Sequence, residues 1–294
     1  MKTVRAIAQE TNLRRDRIGY SNDPRMLDGK IYVIAAYSFR HLNSEYAGPL
    51  IWVRRDSDSA VADFYPGKDG WVDVAAITAW LDGSTADVAW YDQSGAARHI
   101  ETTTANLNLT GVNGHPTAEF SGEVMKGTFS MSGTALSFLQ VSRDNARQAG
   151  GGPDYYWGLG LGTTSGAAFG AEGDAENDYL AGDYVFITNG TNAGQVPHFV
   201  SSGGQSSAPT GLEVWGGILS ADRALLRRNG SALASRVAST GSSIVAANQL
   251  AIGAKTQTIS DPHIGVDIGE LIFFTADINS DVASYEAAMA EAWG

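Results

Sequence analysis

The stretch "LLRRNGSALAS", Leu225 to Ser235, carries the clearest fold instruction in this chain. Asn229-Gly230 is the dipeptide that a two-residue type I′ turn demands, because both central residues take positive φ. The stretch therefore predicts a β-hairpin. From Ala86 onward the same grammar repeats: "DVAWY", "TAEFSG", "TALSFLQVSR", "YYWGLGLG", "DYVFITNG", "GLEVWGGIL", "QLAIGA" and "IGELIFFTA" are short apolar runs separated by turns. Eight or more such strands fit an all-β, two-sheet sandwich. Two segments read differently. Asp73 is placed to cap a short helix over 73–81, with Ala76, Ile77 and Trp80 on one face. Ser280–Trp293, capped by Asn279 or Ser280 and rich in Ala, Glu and Met, predicts a C-terminal helix.

Composition bounds the function. With 43% hydrophobic and 18% charged residues in 294, the chain can bury a large core. Its net charge of -12 repels phosphate backbones and anionic bilayers, which argues against nucleic acid and membrane insertion. No apolar h-region follows Met1-Lys2, so the expectation is synthesis in the host cytoplasm without a signal peptide. The absence of cysteine removes disulfides and thiolate metal sites. Residues 1–28 are polar and end in the turn-forming "SNDPRMLDGK"; they read as an N-terminal arm or linker, and 29–294 as one domain. Residues 1–18 carry +3 against -15 for the remainder, so the arm suits docking on an acidic partner.

A second stretch, "VAWYDQSGAARHI" at 88–100, stops a strand with a polar turn. Asp92, Gln93 and Ser94 have two readings: a loop that contacts ligand, or a corner in which Asp92 accepts backbone N–H bonds. A triad of Ser94, His99 and Asp92 lacks the G-x-S-x-G elbow. Arg54 and Arg55 beside Asp56 and Asp58 read as ion pairs, or as a guanidinium fork for an anion. In "GGPDYYWGLG", strand alternation places Tyr155 and Trp157 on one face and Tyr156 on the other. Asp154, Tyr155 and Trp157 then offer hydroxyl acceptors and ring faces to a sugar, with core packing as the alternative. The loop "EGDAENDYLAGD" gathers Asp174, Glu176 and Asp178, an oxygen-rich set suited to Ca²⁺ or to solvent; no other cofactor is indicated. The five histidines have no ligand spacing.

"AAYSFRHLNSEYAGPLIWVRRDSDSAVADF" followed by "VDVAAITAWLDGSTADVAWYDQSG" resembles the opening of the catalytic domain of the fungal arabinofuranosidase B family, and phage proteins that share that domain. Tyr-x-Gly-Pro, Val-Arg-Arg-x-Ser-Asp, the short helix and Trp-Tyr-Asp-Gln-Ser-Gly occur in the family's order, and "GHPTAEFSG", the Asn-Gly hairpin and "IGELIFF" continue it. The resemblance implies a concanavalin-like or laminin-G-like jelly roll. It also implies retaining cleavage of arabinofuranosides by two carboxyls about 5–5.5 Å apart, a glutamate on a mid-chain strand and an aspartate just after a glycine like Gly253. Here Gly253 is followed by Ala254 and Lys255, and "YYWGLGLGTTSG" has no glutamate. The expectation is thus a non-catalytic virion structural protein, a capsid decoration or tail-tip or fibre component. Its jelly roll would be lectin-like, its partners other virion proteins through the arm, possible cell-surface glycan and further copies of itself. The alternatives are an α-L-arabinofuranosidase-type hydrolase using Glu172, Glu176, Asp261 or Glu270, and a free carbohydrate-binding module.

Overall fold

The computed structural model describes residues 25–102, 105–133, 135–145, 153–160, 165–172, 182–189, 198–201, 211–220, 223–237, 244–254 and 264–294. Two antiparallel sheets face each other across a shared core, a concanavalin-like jelly roll as the sequence predicts. The larger sheet contains β1 (Val33–Ser38), β2 (Ile51–Arg55), β3 (Val61–Phe64), β4 (Ala86–Trp90), β6 (Ala105–Val112) and β7 (His115–Ser121). It continues with β9 (Ala135–Asp144), β14 (Glu213–Ser220), β15 (Arg223–Arg228), β16 (Ser231–Val237) and β18 (Ile264–Phe274). The smaller holds β5 (Ile100–Thr102), β8 (Met125–Gly133), β10 (Pro153–Leu159), β11 (Ser165–Glu172), β12 (Gly182–Asn189), β13 (His198–Ser201) and β17 (Ile244–Ile252). Helices α1 (Val74–Leu81) and α2 (Val282–Trp293) complete the described elements. The strand order is β16-β15-β14-β9-β18-β7-β6-β4-β2-β3, with β1 also on β18, and β13-β12-β11-β10-β17-β8-β5.

The Asn-Gly hairpin forms as read. Arg228 pairs with Ser231, and Asn229 and Gly230 take φ of 50° and 81°. The register also sends the two preceding arginines to opposite faces of the sheet. Arg227 stands opposite Gly216 and grips Glu286 of α2; Arg228 stands opposite Trp215 and reaches Glu213.

Between the sheets the core is aromatic. Trp157 meets Phe138 and Phe273 edge to face at 5.0 and 4.9 Å, while Tyr156 stacks on Phe169 at 4.6 Å. The far face of the larger sheet is apolar too, because α2 covers it. Val282, Tyr285, Met289 and Trp293 recur along one side of the helix and pack on Leu139, Val141, Ile218, Ile272 and Phe274. Trp293 lies so close to Gly269 that a Cβ there would stand 2.2 Å from its ring. Its indole N–H donates to Glu270, a fully buried carboxylate that also accepts from Ser38 and twice from Arg40. One carboxylate therefore ties β1, β18 and α2 together.

Three local expectations change. Asp73 does cap α1 through Ala76 N–H, but the buried face is Ile77 and Leu81, and Ala76 is exposed. The cap position of α2 is Asp281, which makes no side-chain capping bond; tertiary burial of the apolar stripe sets where that helix starts. Residues 25–28, read as the end of an arm, are docked: Leu27 is buried and its N–H bonds Leu42, while Asp28 accepts from Arg25 and Ser44. Residues 1–24 lie outside the described residues.

Removing one member of a buried ion pair leaves an uncompensated charge at a cost of about 3–5 kcal/mol. Glu270→Ala should lower unfolding stability by about that amount in chemical denaturation. Arg40→Ala combined with it should add little further loss; full additivity would show that the two side chains act independently.

Candidate functional site

Asp92, in the polar turn, is 1% exposed. Its carboxylate accepts from Ala36 N–H and Ser94 N–H at 2.9 Å on Oδ1, and from Ser94 Oγ at 2.8 Å and Arg98 N–H at 2.9 Å on Oδ2. Gln93 is equally committed: its N–H donates to Ala36 O, its Oε1 accepts from Leu42 N–H, and its Nε2 donates to Ser38 O and Arg40 O. Arg98 donates to Ile34 O. Ile34, Ala36, Ser38, Arg40 and Leu42 are alternate residues, so the edge of β1 turned away from β18, and the chain just after it, is sealed by one turn rather than by a strand. Ser94 Oγ donates to Asp92, while His99 Nδ1 accepts the Asp92 backbone N–H, so no nucleophile–base contact exists. Tyr37 donates its hydroxyl to Arg98 O, and burial pushes that phenol well above its ordinary range. The corner is a structural one.

The arginine cluster resolves into ion pairs. Arg54 pairs with Asp87 rather than a near neighbour, and Arg55 forks onto Asp58 while lying over Trp80.

The aromatic triplet departs from simple alternation. Pairing of β10 with β11 slips between Tyr155 and Trp157, and this irregularity lets both Tyr156 and Trp157 enter the inter-sheet core. Tyr155 is buried as well. Of the sugar-contact candidates, Tyr155 and Trp157 thus pack on protein; Asp154 lies in β10, with its side chain outside the described residues. Asp174, Glu176, Asp178 and Asp261 also lie outside them. Among the described residues no group of three His, Cys, Asp or Glu is arranged to hold a metal.

At the positions to which the resemblance assigns catalytic carboxyls, the structure places none among the described side chains. Gly253 has φ of 83°, and a Cβ there would stand 2.3 Å from Phe120 and 2.7 Å from Glu123 O, so packing alone requires this glycine. Ala254 after it is fully buried with Val124 and Ala251. Glu270 serves the ion pair described above and is closed to substrate.

The structure brings together a different set, unremarked in the sequence. On β9 the side chains facing the smaller sheet run Leu136, Phe138, Gln140, Ser142, Asp144, so the inner face turns from apolar to polar along one strand. Across on β14, Trp215 stands opposite Gln140 and Glu213 opposite Ser142. Gln140 Nε2 donates to Ser142 Oγ at 3.0 Å, and Tyr156 OH bonds both oxygens of Asp144 at 2.9 Å. Glu213 accepts from Arg228, whose guanidinium lies over the Trp215 ring at 5.4 Å. Arg228 is partly exposed at 27%, whereas Gln140, Ser142, Asp144, Glu213 and Trp215 are buried. Trp215 Nε1 and Gln140 Oε1 have no hydrogen-bond partner. β9, β11, β13 and β17 end here, and β10, β12 and β14 begin here. Polar groups among ring faces at one end of a sandwich are what a sugar site needs. The period-two pattern "ALSFLQVSRD" hid it, because α2 makes the opposite face of β9 apolar as well.

No protein-family profile matches the chain. A segment of 70 residues, 23% of the chain, is 44% identical to a probable α-L-arabinofuranosidase B of Aspergillus fumigatus and spans 14% of that protein's length. The fold is similar to that of a GH54 α-L-arabinofuranosidase mutant soaked with 4-nitrophenyl α-L-arabinofuranoside, with TM-score 0.64 and 16% identity over 87% of this chain and 62% of that one. An arabinofuranosidase complexed with arabinofuranosyl-α-1,2-xylobiose gives TM-score 0.61 with the same identity and coverage. The chain thus shares a β-sandwich fold with these two structures, and it spans less than two thirds of their length.

Truncating Asp92 to Ala would leave its buried N–H donors unpaired, so stability should fall by about 3 kcal/mol. Ser94→Ala, which removes one hydroxyl donor, should cost about 1 kcal/mol. Equal and negligible losses in urea titration would return the corner to the list of ligand loops.

Proposed function

We propose that the chain is a non-hydrolytic glycan-binding β-sandwich that serves as a structural and recognition component of a phage particle. The observation that carries the reading is the polar end of the inter-sheet core: Gln140, Ser142, Asp144 and Glu213 beside Trp215 and Tyr156. This set supplies hydroxyl donors, acceptors and ring faces, while Ala254, buried in apolar surroundings, stands where the resemblance calls for an acid. The fold shared with arabinofuranosidases supports a pentose-containing glycan as ligand. The place on a particle rests on the resemblance of the opening sequence alone. The basic N-terminal residues and acidic remainder suit attachment to a neighbouring subunit, and a repeated or trimeric arrangement follows from that role.

One observation favours a second reading, a hydrolase with rearranged carboxyls. Asp144 and Glu213 stand on neighbouring strands one diagonal step apart, their backbone positions about 7–8 Å from each other, and an inverting pair needs its carboxyls about 6.5–9.5 Å apart. Against it, Asp144 is bound by Tyr156 and Glu213 by Arg228, which leaves neither carboxyl as a free acid or base.

Incubated with a nitrophenyl α-L-arabinofuranoside and with arabinan, the purified protein should release neither nitrophenol nor reducing sugar above a heat-killed control. In affinity electrophoresis it should be retarded by arabinan or arabinoxylan. Turnover that Asp144→Asn or Glu213→Gln abolishes would replace this reading with the hydrolase. Purified virions of the source should contain the protein by mass spectrometry, and its absence there would leave a free carbohydrate-binding module.

A further inference from the structure

The inter-sheet core holds a donor and an acceptor that lack partners, on residues that face each other across two strands. Trp215 Nε1–H and Gln140 Oε1 are both fully buried and unbonded. Their residues are directly opposite on β14 and β9, which sets their Cβ atoms about 4.5–5.5 Å apart on one face. Gln140 is held in orientation, because its Nε2 is engaged by Ser142 Oγ. Exchanging the amide's oxygen and nitrogen would leave a donor unpartnered instead of an acceptor, so no flip satisfies both groups. An indole N–H only donates and an amide oxygen only accepts. A hydroxyl oxygen is the complementary group, since it accepts from the first and donates to the second.

We infer that Trp215 and Gln140 form a subsite for one hydroxyl group, filled by water in the free protein and by a sugar hydroxyl when glycan is bound. This rests on the glycan-binding reading for its second occupant and is independent of it for the first. Rings border the subsite: that of Phe169 lies 5.1 Å and that of Tyr156 6.5 Å from that of Trp215. Ser142, Asp144 and Glu213 continue the polar surface along the same strands. Arg228 borders the subsite on its solvent side: its guanidinium lies over Trp215 and is partly exposed, whereas Gln140 and Trp215 are buried. Trp90 and Trp157 also bury unbonded indole N–H groups, but neither has a buried acceptor without a partner directly opposite it. They serve as controls.

The test is a high-resolution crystal structure of the full chain, alone and soaked with an arabino-oligosaccharide, read together with retention of Gln140→Met on arabinan. The free protein should show an oxygen within hydrogen-bond distance of both Trp215 Nε1 and Gln140 Oε1, and none at Trp90 or Trp157. The complex should show a sugar hydroxyl in its place, and Gln140→Met should weaken retention about tenfold or more. Water in both crystals with retention unchanged would overturn the sugar subsite. An empty gap, or a direct Trp215–Gln140 bond, would overturn the inference altogether. A wild-type chain that no glycan retards would overturn the glycan-binding reading, and the free-protein crystal would still decide whether a hydroxyl sits there.

Discussion

The sealed edge of β1 is the constraint on which the rest of the molecule depends. β1 pairs with β18 on one side only, and its other edge would otherwise expose a row of unsatisfied backbone groups. Asp92, Gln93 and Arg98 reach those groups from a single turn and bond Ile34, Ala36, Ser38, Arg40 and Leu42. Once β1 is fixed, Ser38 and Arg40 are in place to hold Glu270. Glu270 then receives the Trp293 indole, and α2 closes over the far face of the sheet. Each step uses a buried charge that is fully hydrogen-bonded, the only form in which such a charge is tolerated inside a protein.

This chain of dependence gives the hydrolase-like beginning of the sequence a structural reason. Trp-Tyr-Asp-Gln-Ser-Gly is needed for the edge of β1, and Gly253 for the approach of Phe120. Neither need involves a substrate.

Much of the architecture was legible in the sequence, because it is written in local rules. Asn229-Gly230 specified its turn, Asp73 its helix start, and alternation most of the strands. The same local rules account for what was not legible. Alternation put Tyr155 and Trp157 on one face, but an irregularity beside Tyr156 moved two successive rings into the core. Asp281 begins α2 without a capping bond, since the helix is held by its buried stripe. The polar end of β9 was invisible for a subtler reason. Gln140, Ser142 and Asp144 alternate with Leu139 and Val141, a pattern that normally puts the polar side toward water, and only the cover of α2 reverses it. Asp92 and Gln93 were found by residue type, and their role was decided by partners distant in sequence, Ala36 and Leu42.

On the glycan-binding reading proposed above, ligand is met at the polar end of the sandwich and not at the hydrolase-like corner. The seven tryptophans provide a probe for each region. In a ¹H–¹⁵N spectrum titrated with an arabino-oligosaccharide, the indole N–H resonance of Trp215 should move with saturation, while those of Trp52, Trp80 and Trp293 stay in place. Saturable movement of the backbone resonances of Asp92 to Ser94, with Trp215 unchanged, would contradict the account.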